Sequence, residues 1–318
     1  MQLDGLLSFP LTPFTSDDEI ALDVFAEHLE RQIAAGPAAL FVACGTGEFT
    51  ALGQDEYQKL VSTAVRVADG RLPVVAGAGG GPRVARSFAR HAADAGADGI
   101  LLLPPYLVAC PPSGLVTHVR YVTHSISLPV VVYQRANAVL DTDAARALLD
   151  VPGVVGVKDG VGDVEAMRRV TVAVTASGHP AASGFSFLNG LPTAELSVQA
   201  YRAIGVTGYS SAVLCFAPDI ATAFFAAVRD GDQALVDTLL AEFYLPLAQL
   251  RDTVPGYAVS LVKAGARLTG LPVGPVRPPL VDATTEHLDR LTQIIEHGRA
   301  ALARATAART AETPVTAP

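Results

Sequence analysis

Short apolar runs recur at residues 6–10, 40–44, 74–77, 100–103, 130–133, 154–158, 181–185 and 206–210. Most are rich in Val, Ile, Leu or Phe, the composition of a strand buried on both faces. Between them lie stretches with a helical period and helix-start signals, at 21–35, 54–68, 83–95, 113–125, 141–149 and 163–174. Largely apolar strands alternating with helices predict parallel pairing with right-handed crossovers. Eight strands in the first 230 residues fit a closed (β/α)8 TIM barrel, an α/β fold, better than an open doubly wound sheet. Beyond Asp230 the pattern is purely helical, over 233–250, 257–269 and 285–306, which predicts a C-terminal helical extension spanning 231–306. Residues 307–318, mostly Ala, Thr and Pro, are expected to be a disordered tail.

In a barrel of this kind the chemistry belongs at the carboxyl ends of the strands. Composition narrows what that chemistry can be. With 31 acidic against 23 basic side chains the net charge is −8, which disfavours a nucleic acid or an anionic membrane surface as partner. The most apolar stretch, 212–228, contains Pro218 and Asp219, so no membrane span is expected, and the first ten residues lack a basic signal region. Cys44, Cys110 and Cys215 are far apart and read as buried small hydrophobes of a reduced cytoplasm. The seven histidines offer no metal-binding spacing, so no metal is expected; no cofactor is expected either.

Only three lysines are present, and Lys158 stands at a strand end in Val154-Val-Gly-Val-Lys158-Asp-Gly. Alternation places Val154, Gly156 and Lys158 on one face and Val155 and Val157 on the other, so the amine points into the barrel with space left beneath it by Gly156. Burial lowers a lysine's pKa and frees the amine for a Schiff base with a carbonyl substrate. The competing reading is a strand-end lysine that reaches solvent or pairs with Asp159; Lys59 and Lys263, in helical segments, read as solvated or packed stems. One βα unit earlier, Tyr133 ends its strand with the same parity, close enough for a phenol and an amine to serve one reacting carbon. After the second strand, Cys44-Gly45-Thr46-Gly47-Glu48 offers backbone N–H groups and a hydroxyl to a carboxylate. The Gly77-Ala-Gly79-Gly80-Gly81 run fits no phosphate-binding fingerprint and reads as a turn.

Together these segments, with Phe9-Pro-Leu-Thr12-Pro13-Phe14, resemble the class I aldolase superfamily of dihydrodipicolinate synthase and N-acetylneuraminate lyase, over residues 3 to 300. Within it, Ala43-Cys-Gly-Thr-Gly-Glu-Phe49, Tyr133-Gln-Arg-Ala-Asn137, Gly190-Leu-Pro-Thr-Ala-Glu195 and Tyr209-Ser-Ser-Ala212 are similar to the branch of sugar-acid dehydratases. Two features depart from the synthase branch: Gly45-Thr46 stands where that branch has adjacent threonines, and Leu107 replaces the second tyrosine of its Pro-Tyr-Tyr. That branch's carboxylate-binding arginine is Ala138 here, leaving Arg135 either to take its place or to face solvent. The resemblance implies dehydration and decarboxylation of 5-dehydro-4-deoxyglucarate to 2,5-dioxopentanoate, with Lys158 and Tyr133 catalytic. Gly45, Thr46, Gly47, Arg135, Asn137, Ser186, Ser210 and Ser211 are the expected substrate contacts, and a homo-oligomer, tetramer or dimer, is implied. The alternatives are a sibling Schiff-base lyase or 2-oxo acid dehydratase, or a sugar-acid binding protein without turnover.

Overall fold

The computed structural model describes residue 1, residues 3–105 and residues 107–312. Eight strands form a closed parallel barrel in chain order. They are β1 (Gly5–Ser8), β2 (Ala39–Val42), β3 (Val74–Ala78), β4 (Gly99–Leu102), β5 (Val130–Gln134), β6 (Val154–Asp159), β7 (Ser186–Asn189) and β8 (Gly208–Ser211). The helices that follow them in turn are α1 (Leu22–Ala34), α2 (Gln54–Ala68), α3 (Pro82–Asp94), α4 (Pro112–Thr123), α5 (Thr142–Leu149), α6 (Val164–Thr175), α7 (Val198–Ala203) and α8 (Pro218–Asp230). Four more helices complete the described chain: α9 (Gln233–Leu239), α10 (Leu245–Arg251), α11 (Tyr257–Leu268) and α12 (Thr285–Glu312).

The apolar strands bury both faces, as their continuous hydrophobic runs require. Leu7, Phe41, Val75, Leu101, Val131 and Leu188 fill the barrel, whereas Leu40, Val42, Val74, Ile100, Val130 and Val157 pack against the helices. Residues alternate between the two layers because successive strand side chains point to opposite faces. The helices carry local signals of their own. Asp141 and Asp163 cap α5 and α6 by accepting from Ala144 N and Ala166 N, 2.8 and 2.9 Å. Pro82 and Pro112 stand in the first turn of α3 and α4, where the missing N–H costs nothing.

Four expectations need correction. The seventh strand is Ser186–Asn189, not 181–185; Pro180–Gly184 is a 3-10 turn, set by Pro180 and by His179 accepting from Ala181 N. In β6 the register against β5 shifts between Val130 and Val131, so Val155 joins the interior and Val154 the helix layer. The expected helix over 233–250 is α9 and α10 joined by a π turn at Leu240–Tyr244, just ahead of Pro246, which cannot donate to the helical ladder. The last helix continues to Glu312, six residues past its expected end, through an alanine-rich stretch of high helix propensity. The rest of the expected tail, 313–318, lies outside the described residues. No described helix is long and apolar enough to cross a membrane.

Candidate active site

A cavity of about 310 Å³ opens at the carboxyl ends of the strands, between the barrel mouth and helices α10 and α11. Lys158, Tyr133, Arg135, Gly45, Thr46 and Ser210 all line it. Tyr133 and Lys158 are direct register partners on β5 and β6, which is why a one-strand-apart reading of the sequence brings them together. The Lys158 ammonium lies 4.0 Å from the Tyr133 ring centre and 4.9 Å from that of Phe9, and only 4% of the residue is exposed. It does not pair with Asp159. That carboxylate faces the helix layer, where Gln134 Nε2 donates to it at 2.8 Å and Val161 N at 3.1 Å, with Tyr201 as a third donor.

The electrostatics follow from this enclosure. Burial pulls the Lys158 ammonium below the ordinary lysine value, against the opposing pull of Tyr133 and Cys44. Burial pushes the Tyr133 phenol up, but the positive charges of Lys158 and Arg135 beside it outweigh this and bring it below the ordinary tyrosine value. Arg135 NH1 donates to the Tyr133 hydroxyl at 3.2 Å, so the guanidinium turns inward although the residue as a whole is exposed. The Gly190 carbonyl serves both groups: it accepts from the Tyr133 hydroxyl at 3.3 Å and lies 3.5 Å from Lys158 Nζ. A side chain on Gly190 would come within 2.7 Å of Lys158 Cε, so the lysine's position demands glycine there. Cys44, at the end of β2 inside the barrel, is an inert thiol whose pKa burial pushes up to about 12.

Not every expected contact reaches the cavity. Gly47 stands behind its loop, with its carbonyl accepting from Thr12 Oγ1 at 2.7 Å. Asn137 ties the β4–α4 loop to the β5–α5 loop by donating to the Pro105 and Val108 carbonyls, 3.0 and 2.6 Å. Ser186 opens β7 instead of ending it and sits at the far end of the strand from the cavity, against Gly156. That packing is the reason for Gly156, whose Cβ would fall 2.5 Å from the Ser186 carbonyl oxygen. Ser211 points into the helix layer and donates to Glu195 Oε1 at 2.5 Å.

Other groups at the site were not singled out from sequence. Phe9 belongs to the Phe9-Pro-Leu-Thr12 segment and stacks on Phe41 with ring centres 4.6 Å apart, forming the floor under the lysine. Glu195 and Arg251 line the cavity on the side of the C-terminal helices. The helical extension also braces the Gly45–Gly47 loop. Lys263, expected to be a solvated or packed stem, is fully buried and lies 2.6 Å from Glu48 Oε1. Its amine also donates to the Pro275 carbonyl at 2.7 Å, and Arg277 N donates to Glu48 Oε2 at 2.9 Å.

Residues 2–298 match the profile of the Dihydrodipicolinate synthetase family, and the chain belongs to that family. It is 52% identical over 294 residues to the probable 5-dehydro-4-deoxyglucarate dehydratase 2 of Streptomyces avermitilis, covering 92% of this chain and 87% of that one. It is 45% identical to the probable 5-dehydro-4-deoxyglucarate dehydratase of Rhizobium rhizogenes, covering 93% and 96%. Among solved structures it resembles the dihydrodipicolinate synthase of Thermotoga maritima, with a TM-score of 0.84 at 25% identity and coverage of 94% and 99%. A prophage protein of the same family from E. coli K12, solved with pyruvate, gives a TM-score of 0.82 at 26% identity and coverage of 93% and 98%.

Proposed function

We propose that this chain is a decarboxylating dehydratase that converts 5-dehydro-4-deoxyglucarate to 2,5-dioxopentanoate, water and carbon dioxide through a Schiff base on Lys158. The observation that carries the reading is a desolvated amine at a strand end, inside the cavity and against a tyrosine ring. Support also comes from the relatives at 52% and 45% identity, whose names give that substrate and its dehydration, and from the family member solved with pyruvate, a 2-oxo acid.

The chemistry follows from electron flow. The Lys158 amine condenses with the keto group beside one carboxylate, and the resulting iminium acidifies the neighbouring methylene. Loss of that proton gives an enamine, which expels the next hydroxyl as water with Tyr133 as its acid. The unsaturated iminium then accepts the electrons of the distal carbon–carboxylate bond, carbon dioxide leaves, and the enol left behind becomes the aldehyde. The retained carboxylate sits on the Gly45 and Thr46 backbone and hydroxyl, with Arg135 near the tyrosine and Ser210 available to a substrate hydroxyl. Gly47 and Asn137 act at one remove by holding their loops. A cytoplasmic site of action and a homo-oligomer, dimer or tetramer, belong to the same proposal.

Incubation with 5-dehydro-4-deoxyglucarate, following carbon dioxide and aldehyde, tests it directly. Lys158→Ala is expected to lose activity and to form no borohydride-stable adduct. A variant that keeps the parent rate refutes covalent catalysis. An unlabelled wild-type protein that still binds the substrate points instead to a sugar-acid binding protein.

A further inference from the structure

The cavity is not uniform around Lys158. Toward β4 the described residues contribute only Leu101, whereas most of the wall comes from the loops after β7 and β8 and from α10 and α11. A substrate whose retained carboxylate rests on the Gly45–Thr46 loop therefore extends toward that second side. Its distal carboxyl carbon lies four carbon–carbon bonds from the imine carbon, about 5 Å away at normal bond lengths. Val213, Phe216, Leu247, Leu261 and Val262 face the cavity there, beside the polar Thr193, Glu195, Ser210 and Arg251.

Two ionisable groups share that wall, and both are engaged within the protein. Arg251 donates from Nε and NH2 to the two carboxylate oxygens of Asp252, at 2.8 and 3.0 Å, and from NH1 to Thr193 Oγ1 at 2.6 Å. Glu195 accepts from Ser211, and burial raises its pKa to about 7, so near neutral pH much of it holds a proton. A carboxylate on this side meets mostly hydrocarbon, beside charged groups already engaged within the protein.

We infer that the apolar wall formed by Val213, Phe216, Leu261 and Val262 drives the decarboxylation half of the reaction by desolvating the distal carboxylate. This rests on the Schiff-base reading above. An unpaired carboxylate in an apolar setting is destabilised, whereas the neutral carbon dioxide it becomes is not. In the step itself the bond between the distal carboxylate and the hydroxyl-bearing carbon breaks. Its electron pair moves into a new carbon–carbon double bond and along the conjugated chain to the iminium nitrogen. The hydroxyl-bearing carbon becomes an enol and then an aldehyde, and water releases the product from Lys158. Both eliminations use the Lys158 iminium, but dehydration also needs the Tyr133 acid at the other side of the cavity, so the wall acts on the second elimination alone.

The test is a borohydride quench of steady-state turnover, followed by mass spectrometry of the reduced Lys158 adduct, in wild type and in the isosteric variants Val213→Thr and Val262→Thr. In wild type the five-carbon adduct outweighs the dehydrated six-carbon one. Either threonine offers the carboxylate a hydrogen bond, the decarboxylation step slows about tenfold, and the six-carbon adduct accumulates at the expense of the five-carbon one. Folded variants that both keep the wild-type ratio of adducts overturn the inference, and so does a predominant six-carbon adduct in wild type, which needs no variant to fold. If Lys158 carries no adduct at all, the Schiff-base reading itself fails, and this inference with it.

Discussion

Replacing Lys263 by methionine keeps most of the side chain's bulk and removes its charge. Lys263 and Glu48 are both buried, with Nζ 2.6 Å from Oε1, and the amine also lies 4.1 Å from the centre of the Phe14 ring. The variant leaves a carboxylate inside the protein with Arg277 N as its remaining donor. Removing one partner of a buried pair costs about 3–5 kcal/mol, because the desolvated charge stays behind. For a chain of this size, about 2 °C of melting temperature is lost per kcal/mol, so the expected drop is about 6–10 °C. Differential scanning calorimetry of wild type, Lys263→Met, Glu48→Gln and the double variant closes a thermodynamic cycle. The double variant is expected to be more stable than Lys263→Met alone, with a coupling of about 1–3 kcal/mol. Because Glu48 ends the Gly45–Gly47 loop, the single variants should also raise KM more than they lower kcat. A Lys263→Met protein that melts within about 1 °C of wild type, or a cycle with no coupling, refutes the reasoning.

Three further outcomes follow from the site. Tyr133→Phe keeps the packing against Lys158 but removes the proton carrier, and kcat should fall by about 10²- to 10⁴-fold with unchanged circular dichroism; a rate within about threefold of wild type would sink that role. Gly190→Ala sets a methyl group 2.7 Å from Lys158 Cε and 2.8 Å from Cγ. It should abolish borohydride trapping with a 2-oxo acid, and a normal yield of adduct contradicts the assigned position of the lysine. Glu195 is raised from 4.5 to about 7 in the folded protein, so the stability it contributes is complete below the lower value and is lost as pH rises through the upper one. Glu195→Gln should flatten the decline in urea midpoint across that interval, and a slope identical to wild type would show that another group titrates there.

The barrel and its two central residues were legible because both depend on short-range rules. Apolar runs alternating with amphipathic segments mark the βα units, and side-chain parity aims Tyr133 and Lys158 inward from adjacent strands. Parity failed at Val154 and Val155, where the register shift against β5 swaps faces, a feature invisible in one strand read alone. Strand β7 was misplaced because its ends, Ser186 and Asn189, are polar, while the neighbouring Ala-Ala-Ser-Gly run looks equally strand-like. Ser186 was consequently expected at the wrong end of its strand. The pairings of Lys263 with Glu48 and of Arg251 with Thr193 were not foreseen for another reason. The partners are distant along the chain, and a helical lysine gives no local sign that a carboxylate from a strand loop will meet it.

The ion pair between Glu48 and Lys263 also orders events in time. Chains emerge from the ribosome amino end first, at about 5–20 residues per second. All eight strands are therefore available while the segment carrying Leu247, Arg251 and Lys263 is still being translated. Until those residues arrive, Glu48 has no cation, the loop beside it is unbraced, and the chamber around Lys158 lacks a side. The chamber around Lys158 is therefore complete only once the last helices have docked.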